Sequence, residues 1–320
     1  MNAPKVLVTG ANGFVGEALV FRLLVDNKFI PIAAARGATR FHGLCPVVPF
    51  NLTHAKVLSA LDDVQVVIHT AARVHVMNET AVDALAEFRK VNVEGTLKLA
   101  RCAAASGVKR FIFISSIKVN GESTPPGKPF KADDHPNPLD PYGVSKYEAE
   151  EALKKLGHDT GMEVVIIRPP LVYGPGVKAN FLSMLRWLNK GIPLPFGSIR
   201  NQRSLVAIGN LTSLVATCID HPAAANQIFL ASDGEDLSTT QLLRRLAKAL
   251  DKPVRLLPIP EWLLKLAAAI LGKQAFAQRI CGSLQVDINK NRELLGWTPP
   301  INTDKAMGET VGHYLEKQTK

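Results

Sequence analysis

The chain has 320 residues, 47% of them hydrophobic, enough for one large α/β unit or two lobes around a substantial core. Its net charge of +10 is spread without any block of five basic residues, which argues against nucleic acid and for a solvated surface or a multiply phosphorylated ligand. The four cysteines (Cys45, Cys102, Cys218, Cys281) lie far apart with no C-x-x-C, so neither a disulfide frame nor a metal site is expected, and with a strand pattern starting at once the chain reads as cytoplasmic.

The first element is PKVLVTG (Pro4 to Gly10), a short β-branched run that predicts a buried strand. It enters GANGFVG, with glycines at 10, 13 and 16, and then the helical pattern EALVFRLLVDN. A strand, a glycine turn and a helix N-terminus together form a site for a pyrophosphate. Gly10 would permit the turn, Gly13 close approach of phosphate, and Gly16 packing of helix on sheet. Further strands are predicted at FIPIAAA, CPVVPF, VQVVIHTAA, RFIFISS, EVVIIRP and NQIFLAS, with helices between most of them, notably Ala81 to Ser106 and Tyr142 to Thr160. Alternation of this kind predicts a doubly wound parallel sheet. Segments rich in Pro and Gly (RPPLVYGPGV, NKGIPLPFGS, PIPEW) read as a smaller, discontinuous α/β lobe. The predicted division is 1–170 plus about 204–232 for the dinucleotide domain, and about 171–203 plus 233–320 for the substrate domain. WLLKLAAAILG (Trp262 to Gly272) contains Lys265 and is too short to span a bilayer; it reads as core or a subunit contact, with a membrane-surface role as the lesser reading.

PYGVSK places Tyr142 and Lys146 one helical turn apart on one face. A phenol has an ordinary pKa near ~10, and a fixed ammonium beside it lowers that value, giving an acid or base usable near neutrality. RFIFISSIKVNG sets Ser115 and Ser116 where a parallel strand ends, the usual place for chemistry in such sheets.

These residues carry a resemblance over nearly the whole chain. GANGFVG, HTAA (His69 to Ala72), VNVEGT (Val91 to Thr96), SSIKVNG, PYGVSK, RPPLVYGPG (Arg168 to Gly176) and LGWTPP (Leu295 to Pro300) resemble the extended short-chain dehydrogenase/reductases, the NAD-dependent epimerase/dehydratase family of nucleotide-sugar enzymes. The resemblance implies a Rossmann-type fold with Ser116, Tyr142 and Lys146 as the catalytic triad. It implies a dinucleotide held by Gly10, Asn12, Gly13, Phe14, Val15, Gly16, Asn51, Leu52, Ala71, Ala72, Asn92 and Pro169, together with the Tyr142–Lys146 pair. It further implies that a UDP-sugar meets Arg73, His75, Ser116, Asn180 and Arg203, a guanidinium being suited to the diphosphate, with an ordinary surface arginine as the alternative at Arg203. Lys118 and Asn120 depart from the family's residues and either touch the sugar or only re-shape the loop.

Departures from the family pattern refine this. The acidic pair that dehydratases carry after the catalytic hydroxyl is replaced by Ile117 and Lys118, so elimination of water lacks its acid and base. The carboxylate that binds the ribose 2′-hydroxyl is replaced by Ala34, followed by Arg36 and Arg40, which favours NADP(H) with NAD(H) as the alternative. The SSIKVNG form resembles bacterial 4-reductases of UDP-2-acetamido-2,6-dideoxy-hexos-4-uloses, suppliers of O-antigen sugars. A UDP-hexose 4-epimerase with tightly bound NAD is the alternative, and a homodimer through two helices per subunit is expected.

Overall fold

The computed structural model describes residues 3–52, 61–74 and 83–318. Among them a seven-stranded sheet runs β3-β2-β1-β4-β5-β6-β9. Its strands are β1 (Lys5–Thr9), β2 (Ile30–Ala35), β3 (Val47–Pro49), β4 (Val64–His69), β5 (Arg110–Ile114), β6 (Glu163–Arg168) and β9 (Ile228–Leu230). All pairings are parallel, with Leu7 opposite Ile32 on one side and Val67 on the other. The first six strands follow the order of a doubly wound dinucleotide fold, and β9 adds an edge.

Continuous apolar runs such as RFIFI are what a sheet covered on both faces requires. Alternate residues along each strand serve opposite faces. Val6, Val8, Ile112 and Val165 pack with α1 (Phe14–Asp26) and α6 (Ile208–Asp220). Leu7, Val67, Phe111 and Phe113 pack with α3 (Thr96–Ala105) and α4 (Pro141–Thr160). α3 continues a helix that begins as α2 (Ala84–Arg89) and passes through a π-helical segment, Lys90–Gly95.

A smaller lobe is built on β7 (Leu171–Tyr173), β8 (Arg203–Ala207) and β10 (Asp236–Leu237), in the order β10-β8-β7. Its own core joins Tyr173, Phe181, Leu185, Leu246, Met307 and Val311. These come from β7, α5 (Ala179–Asn189), α7 (Thr239–Ala249) and α11 (Thr303–Glu316). β8 was expected with the dinucleotide domain; it pairs instead with β7 and β10, and the chain returns to the large sheet through α6 and β9. Asp233 holds this crossing: it accepts from Tyr173 Oη at 2.7 Å, Ala207 N at 2.8 Å and Asn210 Nδ2 at 2.7 Å. The segment LGWTPP closes α10 (Asn289–Leu295) with Gly296 at φ 60°, and Trp297 donates to Ser213 of α6. A helix pair, α8 (Glu261–Ile270) and α9 (Gln274–Cys281), projects from the small lobe. Among the described residues no helix is long and apolar enough to cross a membrane.

Candidate active site

The carboxyl ends of β1 and β4 open into a cleft of about 730 Å³. Gly10 turns the chain out of β1 at φ 70°, and Gly13 N donates back to its carbonyl at 2.8 Å. A Cβ on Gly16 would lie 2.2 Å from Gly10 O, so only glycine lets α1 start this close to the strand. The first N–H groups of α1, its cap Gly13 carrying no side chain, face the cleft. Asn12, Phe14, Val15, Asn51, Leu52, Ala71 and Ala72 line the same space, as do Arg36 and Arg73. This glycine cradle at a helix N-terminus, continued by apolar walls at Phe50 and Leu52, fits a dinucleotide.

Arg40 is not part of that lining; it pairs with Glu17, and its guanidinium lies over the Phe21 ring at 4.7 Å. Thr70, Ala35, Phe50, Val74 and Val91 also line the cleft and were missed. Thr70 Oγ1 donates to Thr9 O at 2.6 Å and ties the two strand ends together. Below them His69 sits between Thr9 Oγ1 (2.7 Å) and Thr96 Oγ1 (3.0 Å). Burial, reinforced by Lys146, drives its pKa down to about 3, so it is a neutral hydrogen-bonding strut.

β5 delivers the serines. Ser115 is buried and donates to Glu150 of α4. Ser116, half-buried, caps a short 3₁₀ turn at Ile117–Val119 and accepts from Lys118 N at 3.3 Å. α4 starts at Pro141 with Asp140 as its cap, Oδ1 accepting from Gly143 N at 2.6 Å. A Cβ on Gly143 would meet Lys118 O at 2.9 Å, so this glycine lets the first turn of α4 close on the Ser116 loop. Tyr142 packs edge-on against Phe88, and Lys146 reaches under it to donate to Ile114 O at 2.7 Å, 3.8 Å from the Phe113 ring centre.

The electrostatics differ from expectation. Burial pulls the Lys146 pKa down to about 7, partly opposed by Glu150. Tyr142 moves upward, to about 12, first through burial and then through the charge of Asp140. The direction is opposite to the expected lowering because burial of the phenol and the negative charge of Asp140 both disfavour the phenolate.

Two networks hold these groups. Asn92, on the π-helical segment, donates to Ser145 Oγ (3.0 Å) and Arg73 O (3.0 Å) and accepts from Arg73 N (2.8 Å). Ser145 then donates to Tyr142 O at 2.8 Å. The second network is a buried ion pair, Arg168 to Glu150 at 2.5 Å, whose guanidinium also donates to Asn120 Oδ1 at 3.0 Å. Of the two readings of Asn120, sugar contact or shaping of the loop, its contacts fit the second: it is 2% exposed and its amide nitrogen donates to Lys131 O. Lys118 likewise pairs with Asp140 and, at 3.2 Å, Glu122. Pro169 is buried, its carbonyl accepting from Ile117 N at 3.0 Å. Asn180 is exposed on the first turn of α5, and Arg203 is half-buried with one nitrogen on Gly282 O at 2.9 Å. Arg73 lies by Phe88 and Glu87 at the cleft margin. His75 lies outside the described residues.

A doubly wound sheet with a glycine cradle fit for a dinucleotide, Ser116 after β5 and Tyr142 and Lys146 in the first turns of α4 describe a dinucleotide-binding fold with a candidate set of proton-handling groups. The chain belongs to the NAD dependent epimerase/dehydratase family, whose model matches residues 6–231. It is 50% identical over 320 residues to a UDP-glucose 4-epimerase of Vibrio cholerae, covering 99% of this chain and 98% of that protein. It is 25% identical to the N-acetyl-alpha-D-glucosaminyl-diphospho-ditrans,octacis-undecaprenol 4-epimerase of Escherichia coli O157:H7, covering 96% and 94%. Its fold matches a Thermotoga maritima UDP-glucose 4-epimerase crystallised with UDP-glucose, with a TM-score of 0.78 at 22% identity over 98% of this chain and 99% of that one.

Proposed function

We propose that the chain is a UDP-hexose 4-epimerase that keeps its NAD through the catalytic cycle. The observation that carries this reading is the 50% identity, end to end, with the Vibrio cholerae UDP-glucose 4-epimerase. It favours the epimerase over the 4-reductase, the reading the sequence put first. The pairing of Arg40 with Glu17 and Phe21 supports NAD, because it engages one of the two cations offered to a 2′-phosphate.

When bound, the dinucleotide supplies a hydride acceptor and donor for the sugar C4. The chain manages the proton and the oxygen. Tyr142 exchanges the proton of the C4 hydroxyl, and Ser116 hydrogen-bonds that oxygen as charge develops on it. Tyr142 is protonated at rest, so the oxidative direction needs positive charge nearby, and Lys146, one turn on, is placed to supply it. Asn92, through Ser145, fixes the backbone at Tyr142. Ile117 and Lys118 offer no carboxylate for elimination of water, which leaves chemistry at C4.

The test is to purify the protein without added nucleotide, quantify the cofactor released on denaturation, and follow UDP-glucose by NMR. The reading expects bound NAD and formation of UDP-galactose. Tyr142→Phe should retain the NAD and lose ~10²–10⁴ of turnover. The 4-reductase acting on a UDP-4-keto-6-deoxy sugar is the second reading, favoured by Arg36, which lines the cleft two residues beyond Ala34, the position where a carboxylate would select NAD. NADPH oxidation with the keto-sugar and no change in UDP-glucose would replace the first reading with the second.

A further inference from the structure

α8 is apolar on the side that faces away from the protein. Trp262, Leu266 and Ile270, spaced four residues apart, are 66%, 50% and 77% exposed. Leu271 (68%) and Phe276 of α9 (48%), which packs against α8, are exposed as well. Inward contact falls on small residues, Ala268 and Ala277, each 8% exposed. Among the described residues nothing covers these side chains, and large exposed apolar residues sharing one helix face mark a binding surface.

The projection is firmly held at both ends. Glu261 accepts from Arg200 N at 2.9 Å. Ile280 O accepts from Asn201 Nδ2 (3.1 Å) and Thr239 Oγ1 (2.6 Å), and Gly282 O from Arg203 (2.9 Å). Charge decides what the face fits. The helix pair carries Lys265, Lys273 and Arg279, and the chain just before it Lys252 and Arg255, against only Asp251 and Glu261 across 251–281. Glu261 is already engaged, by Arg200 N and by Lys265 at 3.6 Å. Pairing two copies through this face would set the same basic rim against itself. An apolar helix face with tryptophan and a basic border is complementary to an anionic lipid surface, where apolar burial and charge attraction add.

We propose that the α8–α9 projection docks the enzyme on an anionic membrane surface, lying in the headgroup region rather than crossing it. The test is flotation of the full-length protein with vesicles of phosphatidylcholine alone or with about a quarter phosphatidylglycerol. Binding should be at least ~10-fold greater on the anionic vesicles and should weaken as salt rises. Leu266→Glu with Ile270→Glu should abolish it, and Lys273→Glu with Arg279→Glu should weaken it at least ~10-fold, both with turnover of soluble UDP-sugar unchanged. If the apolar variant lost turnover through misfolding, the charge variant alone would still read the effect. Failure of the wild type to float, equal binding to neutral vesicles, or self-association broken by Leu266→Glu in the absence of lipid would each overturn the proposal.

Discussion

Lys146 is asked to carry charge where charge is costly. It is 1% exposed, and burial holds its pKa at about 7 against 10.5 for an ordinary lysine. Between those values the unfolded chain binds a proton that the native side chain does not, so the cost is full below about pH 7 and fades as pH rises toward 10.5. Lys146→Met removes the group, so the stability difference between wild type and variant should move in favour of wild type from pH 7 to 9, by at most ~1.4 kcal/mol per unit. Urea melts at several pH values measure it; a difference flat across that window would contradict the buried, weakened ammonium. The Tyr142–Lys146 spacing was legible in the sequence, because one helical turn is a local property. The direction of the Tyr142 shift was not, because it depends on how deeply β5 and α4 bury the pair. Asn120 shows the same limit: its place after the serines left sugar contact and loop shaping both open, and only the fold brings Arg168 of β6 to it.

At the scale of elements, close approach is bought with glycine. A Cβ at Gly16 would have to push α1 away from β1, because the obstruction is the Gly10 carbonyl rather than a flexible side chain. Gly16→Ala should therefore release NAD and cost about 1–3 kcal/mol, read from cofactor content and thermal melting. Gly308→Ala in α11, where an added Cβ meets nothing within 4 Å, should retain NAD and melt no lower than wild type. Equal NAD content in the Gly16 variant and wild type would sink this account of the turn. GANGFVG made this element readable because its glycines punctuate a strand and a helix. The π-helical segment at Lys90–Gly95 was hidden inside an apolar helical pattern. Its extra residue per turn accompanies the inward setting of Asn92, against Ser145 and Arg73, and no local composition announces that.

At the scale of the molecule, the large parallel sheet was legible because its strands are continuous apolar runs of five or six residues in most positions. The small sheet was less so. β7 and β10 have three and two residues, too short for any periodicity, and β8 joins them only through pairing distant in sequence. That placement sets Arg203 at the start of β8, tied to Gly282. The central claim is that this assembly oxidises and re-reduces one sugar carbon without releasing its cofactor. The direct measurement is incubation of purified enzyme, with no nucleotide cofactor added, with UDP-glucose carrying deuterium at C4. The account predicts UDP-galactose with the deuterium still on C4. Absence of UDP-galactose, or its formation with the label lost, would contradict it.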